Sequence, residues 1–272
     1  MTEAITIQER FRQHKVCVLI PTYNNEGSLK NVLDDVLLYT DQVLVVNDGS
    51  TDSTLQILKA YPHIHLVSYE KNAGKGWALR QGFKKALTLG YDNVITIDSD
   101  GQHFADDLCR FLDKMEEAPN VIIIGARNME QSSVPGKSSF GNKFSNFWFK
   151  VETGLVMNDT QSGYRLYPVR AMMKQKFITV KFEFEIEVLV RSAWCGIPVT
   201  SVPVKVFYAD KAVRVSHFRP FRDFSRISVL NTALVTFAFL YIKPRDFLRS
   251  IKKKTSRRFF VKSYPHQANQ IL

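Results

Sequence analysis

The sequence predicts an α/β protein with a mostly parallel sheet flanked by helices, and two observations carry that expectation. Five short runs, VCVLI (16–20), QVLVV (42–46), HIHLV (63–67), NVITI (93–97) and VIIIG (121–125), are of strand length and apolar on both faces, as strands covered by helices on either side are. Between them lie segments of helical spacing: Leu29, Val32, Leu33, Val36 and Leu37, then Trp77, Leu79, Phe83, Ala86 and Leu87. Strand and helix in alternation give a Rossmann-like, doubly wound sheet. The second half is less regular: a helix is expected from Gly136 to Glu152 and another from Phe182 to Cys195, followed by a strand-like segment at 197–208. After Arg226 comes ISVLNTALVTFAFLYI (227–242), the most apolar stretch of the chain.

Composition narrows the class. At 45% hydrophobic and 12% aromatic residues the chain is too apolar to be disordered, and its 272 residues suffice for one large domain or a domain with an appendage. Its glycines and prolines follow no triplet period and no segment repeats, which excludes collagen-like and solenoid chains. Cys17, Cys109 and Cys195 are far apart and form no C-x-x-C pair, so neither a disulfide framework nor a zinc site is expected and a reducing compartment fits. The first fifteen residues lack the apolar run of a secretory signal. A cytosolic start is therefore the expectation, and the Asn158-Asp159-Thr160 sequon is read as chance.

The net charge of +11 is unevenly placed. Residues 1–204 carry 22 basic and 23 acidic side chains, whereas residues 205–272 carry 15 and 3. A near-neutral body with a cationic end points to an anionic surface as the partner of that end.

In a parallel sheet, ligands bind beyond the carboxyl ends of the strands. The residues there are PTYNNEG (21–27), NDGSTD (47–52), EKNAGKG (70–76) and DSDGQ (98–102). Each alone reads as a turn, but four polar edges in succession gather carboxylates, amides and glycines at one rim. Asp98-Ser99-Asp100 with Gln102 is the strongest local signal. In extended backbone residues two apart point the same way, so two carboxylates and an amide converge, an all-oxygen set that suits Mg²⁺ or Mn²⁺ better than zinc. The alternative is that these acids cap a helix starting near Ala105. Asp48 ends the second strand, where an acid of a nucleotide-binding βαβ unit hydrogen-bonds a ribose or base. No G-x-G-x-x-G follows the first strand, and Gly74-Lys75-Gly76 lacks the Ser or Thr and the earlier Gly of a Walker loop. A nucleotide bound through a metal-held diphosphate is compatible with what remains.

PTYNNEGSL, VVNDGSTDST, NAGKGWALRQGF, DSDGQH and DTQSGYRLYP, in this order, resemble the successive motifs of family 2 glycosyltransferases with the GT-A fold, in the branch of dolichyl-phosphate mannose synthase and polyprenyl-phosphate glycosyltransferases. The match covers about residues 15–217, which is read as the catalytic domain (1–217) ahead of a basic, apolar, membrane-associating segment (218–272). The resemblance implies that Pro21, Thr22, Tyr23 and Glu26 line the nucleotide pocket with Ser99, and that Asp48 contacts base or ribose. Lys75 would lie in the loop closing over the nucleotide, and Asp98, Asp100 and Gln102 would hold the metal on the diphosphate. Arg127 and Arg165 are implied phosphate contacts, Asp159 and Ser162 belong to the acceptor-side motif, and Arg214 and Ser216 to a basic loop near the donor sugar. Of Glu185 and Glu187, on the helix that the family writes F-E-x-E, one can reach the site. Two departures bear on nucleotide and acceptor identity: Ser216-His217-Phe218 stands where the mannose synthases carry S-K-L, and Asn47-Asp48 where they carry two acids. No Q-x-x-R-W occurs, which speaks against a processive synthase.

The apolar run from Ile227 to Ile242 is 16 residues long, short of the ~20 that span a bilayer. Flanking cations (Arg219, Arg222, Arg226; Lys243, Arg245, Arg249) and aromatic residues suit an amphipathic or re-entrant element in the headgroup region, with a buried helix as the alternative. KKKTSRR (252–258) attracts anionic lipid by the same logic, and no nucleic-acid partner is expected. The expected activity is metal-dependent, inverting transfer of a sugar from a UDP- or GDP-sugar to a polyprenyl phosphate at the cytoplasmic membrane face. The alternatives are transfer to a hydroxyl of a lipid or glycan, with Asp159 as the base, and a catalytically silent nucleotide-binding membrane protein.

Overall fold

The computed structural model describes residues 5–128, 136–207 and 219–251. Arg214, Ser216, the expected boundary at residue 217 and the polybasic stretch 252–258 lie outside the described residues.

Seven strands form one sheet: β1 (Val16–Thr22), β2 (Val43–Asp48), β3 (His65–Tyr69), β4 (Asn93–Thr96), β5 (Ile122–Arg127), β6 (Arg165–Tyr167) and β7 (Val199–Val204). Their order is β3-β2-β1-β4-β6-β5-β7. All pairings are parallel except those of β6, which runs antiparallel to both β4 and β5. The helices are α1 (Ile7–Gln13), α2 (Leu29–Leu37), α3 (Thr54–Lys59), α4 (Lys75–Thr88), α5 (Leu108–Glu117), α6 (Gly136–Thr153), α7 (Val169–Met172), α8 (Phe184–Trp194) and α9 (Pro220–Phe237).

The two-faced apolar runs become two cores. Along β1, Val16, Val18 and Ile20 point to one face and pack with Leu29, Leu33 and Phe111 of α2 and α5. Cys17 and Leu19 point to the other face and pack with Leu79 and Phe83 of α4 and Phe184 of α8. Burial pushes the Cys17 thiol well above its ordinary range, and all three cysteines are free. The run at 63–67 is the exception to burial on both faces: β3 is the sheet's edge, has only β2 as a neighbour, and leaves His65 and Leu66 exposed. β6 is a strand that the periodicity did not show, because three residues carry no readable alternation. Its direction matters, since Thr96 pairs with Arg165 and the loop before β6 is thereby delivered to the carboxyl edge of the parallel strands.

α9 packs back on the body through a narrow stripe, Asn231, Leu234 and Ala238, with Phe224 against Phe144 of α6 and Phe237 against Trp194 of α8 at ring separations of 5.4 and 5.6 Å. It continues through a π-helical turn (Ala238–Ile242) into helix that runs to residue 251. The continuous helix Phe221–Ile251 is 31 residues long and, by length and composition, apolar enough to cross a membrane. The short apolar run is thus extended by helix on both sides.

Opposite α9, the buried face of α6 holds Glu152, whose carboxyl is 1% exposed and has no hydrogen-bond partner. Burial pushes its pKa up from about 4.5 to about 8. The folded protein therefore keeps a proton that the unfolded chain releases above its ordinary pKa, so this group lowers stability as pH rises through that window. Glu152→Gln is expected to raise the melting temperature clearly near pH 8 and little near pH 5, measured by thermal denaturation across pH. A gain that does not vary with pH would show that this carboxyl is not held neutral.

Candidate active site

The carboxyl ends of β1, β2 and β4 and the first turn of α4 border a cleft of about 480 Å³. Pro21, Thr22, Tyr23, Asp48, Lys75, Asp98, Ser99 and Asp100 all line it. Asn72, Lys181, Arg219 at the cap of α9 and Arg222 and Arg226 on that helix line it too.

At its floor lies a half-buried ion group. Lys75 Nζ is 2.8 Å from Asp98 Oδ1 and 3.2 Å from Glu185 Oε1, joining the end of β4, the start of α4 and the start of α8. Burial alone would lower the lysine's pKa, but the carboxylates of Asp98 and Glu185 outweigh it and hold the ammonium above its ordinary value. Burial likewise works against ionised Asp98, and Lys75 reverses the effect, so Asp98 stays below the usual carboxylate range. Of the two helix acids, Glu185 is the one that reaches the site. Glu187 instead accepts from the backbone N–H groups of Ile178 and Thr179 and from Arg191.

Asp48 is committed to a loop. Its carboxylate accepts from the N–H groups of Ala73 and Gly74, each at 2.8 Å, and from Asn72 Nδ2 at 3.0 Å. It shapes one wall of the cleft, and Gly74, at φ +107°, lets the loop turn into α4. Glu26 does not line the cleft; it is exposed and accepts from the N–H of Ser53 ahead of α3. Ser99 ties the acidic turn to β1, donating to the Pro21 carbonyl and accepting from Asn25 Nδ2.

The backbone from Ser99 to Gly101 turns rather than extends, with Gly101 at φ +73°. Gln102 consequently does not line the cleft with the two acids. It is buried, its N–H donating to Asp100 Oδ1 and its carbonyl accepting from the N–H of Phe207. Nor do the acids cap the following helix: the N–H of Ala105 donates to Asp35.

The acceptor-side motif is a scaffold. Arg165 is fully buried and donates to the carbonyls of Thr160, Ser162 and Glu185 and to the Tyr167 hydroxyl, so its guanidinium is spent inside the protein and the expected phosphate contact is corrected to a structural one. Asp159, 0% exposed, takes both Nε and Nη2 of Arg127 at 2.6 and 3.0 Å and the N–H groups of Gln161 and Ser162. Burial favours the neutral acid, but these donors hold Asp159 below the usual range. Ser162 is enclosed and accepts from the N–H of Tyr164. The loop so fixed presses Gly163 against the floor: a Cβ there would lie 2.4 Å from Asp98 Oδ2 and 3.0 Å from Lys75 Nζ.

Asp98 and Asp100, with Thr22 Oγ1 buried and unpartnered in the same cleft, form an all-oxygen set. Among the described residues no group of three or more His, Cys, Asp and Glu is placed to hold a metal. Mg²⁺ is commonly held by one or two carboxylates, with phosphates and water completing its shell, so the donor chemistry fits Mg²⁺ or Mn²⁺.

The family model described as Glycosyl transferase family 2 matches residues 17–176, more than half of the chain. The chain belongs to that family. The enzyme is similar to the UDP-N-acetylglucosamine–dolichyl-phosphate N-acetylglucosaminyltransferase of Methanococcus voltae, 27% identical over 72% of this chain and 86% of that protein. It is similar to the polyprenol monophosphomannose synthase of Mycolicibacterium smegmatis, 30% identical over 70% of this chain and 76% of that one. Among solved structures, glucosyl-3-phosphoglycerate synthase from Mycobacterium tuberculosis, in complex with Mn²⁺, UDP-glucose and phosphoglyceric acid, superposes with a TM-score of 0.64 at 19% identity, over 88% of this chain and 85% of that chain. This likeness bears out the GT-A fold expected for the glycosyltransferase.

The sequence did not single out Asn72, Lys181 or the α9 arginines as cleft residues. The spacing 219, 222, 226 places the arginines on one helical face, and that was the available signal. Gly163→Ala must displace the Asp98 carboxylate or the loop. It is expected to lower stability by about 1–3 kcal/mol and to weaken nucleotide binding, measured by thermal denaturation and by titration with UDP and GDP. Unchanged nucleotide affinity would detach this loop from the floor.

Proposed function

We propose that this glycosyltransferase moves a sugar from a UDP- or GDP-sugar to a polyprenyl phosphate, with inversion, using Mg²⁺ or Mn²⁺ at the cytoplasmic face of a membrane. An oxygen of the lipid phosphate attacks the anomeric carbon, and the bond to the nucleoside diphosphate breaks with its electron pair leaving on the diphosphate. Asp98 and Asp100 are the residues that would hold the ion. A divalent cation there supplies neutralisation of the charge growing on the leaving group.

The state of Asp159 carries the choice of acceptor. An alcohol nucleophile needs a base, whereas a phosphate monoester already bears negative oxygens near neutral pH. Asp159, the base that hydroxyl transfer would call on, has its oxygens occupied by Arg127 and two backbone N–H groups and its pKa held down, which makes it a poor proton acceptor. The names of the two relatives, both acting on polyprenyl-type phosphates, support the same choice.

A membrane location is supported by the outer side of α9 and its continuation, where Phe221, Val229, Phe239, Leu240 and Phe247 are exposed. Exposed apolar surface beside cations suits a lipid headgroup region. Replacing Phe239 and Leu240 by Ser is expected to leave folding intact and reduce co-sedimentation with anionic vesicles severalfold.

The deciding assay combines purified enzyme, Mn²⁺ or Mg²⁺, a panel of UDP- and GDP-sugars and undecaprenyl phosphate, with Asp100→Asn as the blank. Acid-labile, organic-extractable label that vanishes in the blank is the expected outcome. Donor hydrolysis without lipid product would turn the acceptor to a hydroxyl, and full turnover by Asp100→Asn would remove the metal assignment.

A further inference from the structure

Most cations at the catalytic rim already have partners. Lys75 is held by two carboxylates, Arg127 by Asp159 and Arg165 by backbone carbonyls. Arg222 and Arg226 differ. Both line the cleft that contains Asp98 and Asp100, and among the described residues neither guanidinium has a hydrogen bond or an ion pair. The one acid between them, Asp223, is buried and turned to the start of the helix, where it accepts from the N–H of Arg219 at 2.7 Å. It does not neutralise them.

Their spacing brings the pair together. Residues four apart on a helix have Cβ atoms about 5–6 Å from each other, close enough for two guanidinium forks to take one phosphate group. The same turns carry Phe221, 88% exposed, and Phe224, 46% exposed. Within a few residues α9 thus offers a paired cation to the cleft and the Phe221 ring to the outside. A nucleotide-sugar has no apolar chain with which to use the second feature. A phosphate monoester on a hydrocarbon chain uses both.

We propose that Arg222 and Arg226 bind the phosphate of the lipid acceptor, so that α9 presents the acceptor to the donor held on the sheet. This rests on the reading of the acceptor as a polyprenyl phosphate. It makes the two arginines acceptor-binding groups, distinct from the carboxylates that serve the donor.

The test uses the full chain in neutral detergent micelles, where no anionic surface contributes, with Arg222→Gln, Arg226→Gln and the double variant. The KM for undecaprenyl phosphate is expected to rise roughly tenfold for each single variant and up to about a hundredfold for the pair, as loss of charge-assisted hydrogen bonds implies. Affinity for UDP or GDP with Mn²⁺, measured by titration calorimetry, and the donor KM are expected to stay within about twofold, and Arg222→Lys to recover part of the loss. Circular dichroism and melting temperature check that α9 remains folded. If wild type transfers sugar to undecaprenyl phosphate and the variants keep its KM, the arginine assignment is wrong while the acceptor stands. Variants that lose nucleotide affinity instead would place the pair on the donor. If wild type neither transfers to undecaprenyl phosphate nor binds neutral vesicles carrying it better than vesicles carrying undecaprenol, both the acceptor and the arginine assignment fall.

Discussion

The contact on which the site depends is Lys75 between Asp98 and Glu185. It joins three elements that are distant in sequence at a half-buried place on the floor of the cleft, where each charge is answered by its neighbour. Remove the lysine and the two carboxylates lose the cation they share. Remove Asp98 and the lysine keeps Glu185 but loses the partner that opens to the cleft. The surrounding architecture serves to keep this arrangement fixed.

That requirement explains why so many charged residues near the rim do no direct chemistry. Arg165 gathers three carbonyls, one of them that of Glu185, and so ties the acceptor-side loop to α8. Asp159 and Arg127 tie the same loop to the end of β5. The loop in turn brings Gly163 so near Asp98 that no side chain fits between them. Two layers of internal electrostatics thus hold one carboxylate in place, at the edge where parallel strands direct their loops. Asp100, Arg222 and Arg226 line the cleft beside this group.

Much of this was legible in the sequence, for reasons that can be stated. Runs such as VCVLI announce themselves because a strand covered on both faces must be apolar at every position, and β1 divides its side chains between two cores accordingly. The motif residues collected at one rim because strand ends share an edge in a parallel sheet. Other features were not legible. Gln102 departs because the extended-backbone argument fails where Gly101 adopts positive φ. Arg165 was read as a phosphate ligand because an arginine in a motif has the right chemistry, while its actual partners are carbonyls that converge only once β6 and α8 are in place. The α9 arginines were read as flanks of a membrane segment, since nothing local tells that the helix folds back over the cleft.

The fold-back of α9 brings buried polar side chains with it. On the faces that α6 and α9 bury, Asn142, Glu152 and Asn231 have no hydrogen-bond partners for their side chains. Each enclosed polar group left unpaired costs about 1–3 kcal/mol, so packing by Leu234, Ala238 and the aromatic contacts at Phe224 and Phe237 must offset a substantial penalty. Along β1 and β2 the residues are apolar on both faces until the strands reach the rim, where Thr22 Oγ1 is buried without a partner. Asp48, Asp98 and Asp100 therefore stand at the rim of the packed sheet, whereas Arg222 and Arg226 ride on a helix that meets the body through a narrow stripe. The continuous helix Phe221–Ile251 carries Phe221 and Phe239 on its exposed side, so the apolar surface and the arginines that line the cleft belong to one element.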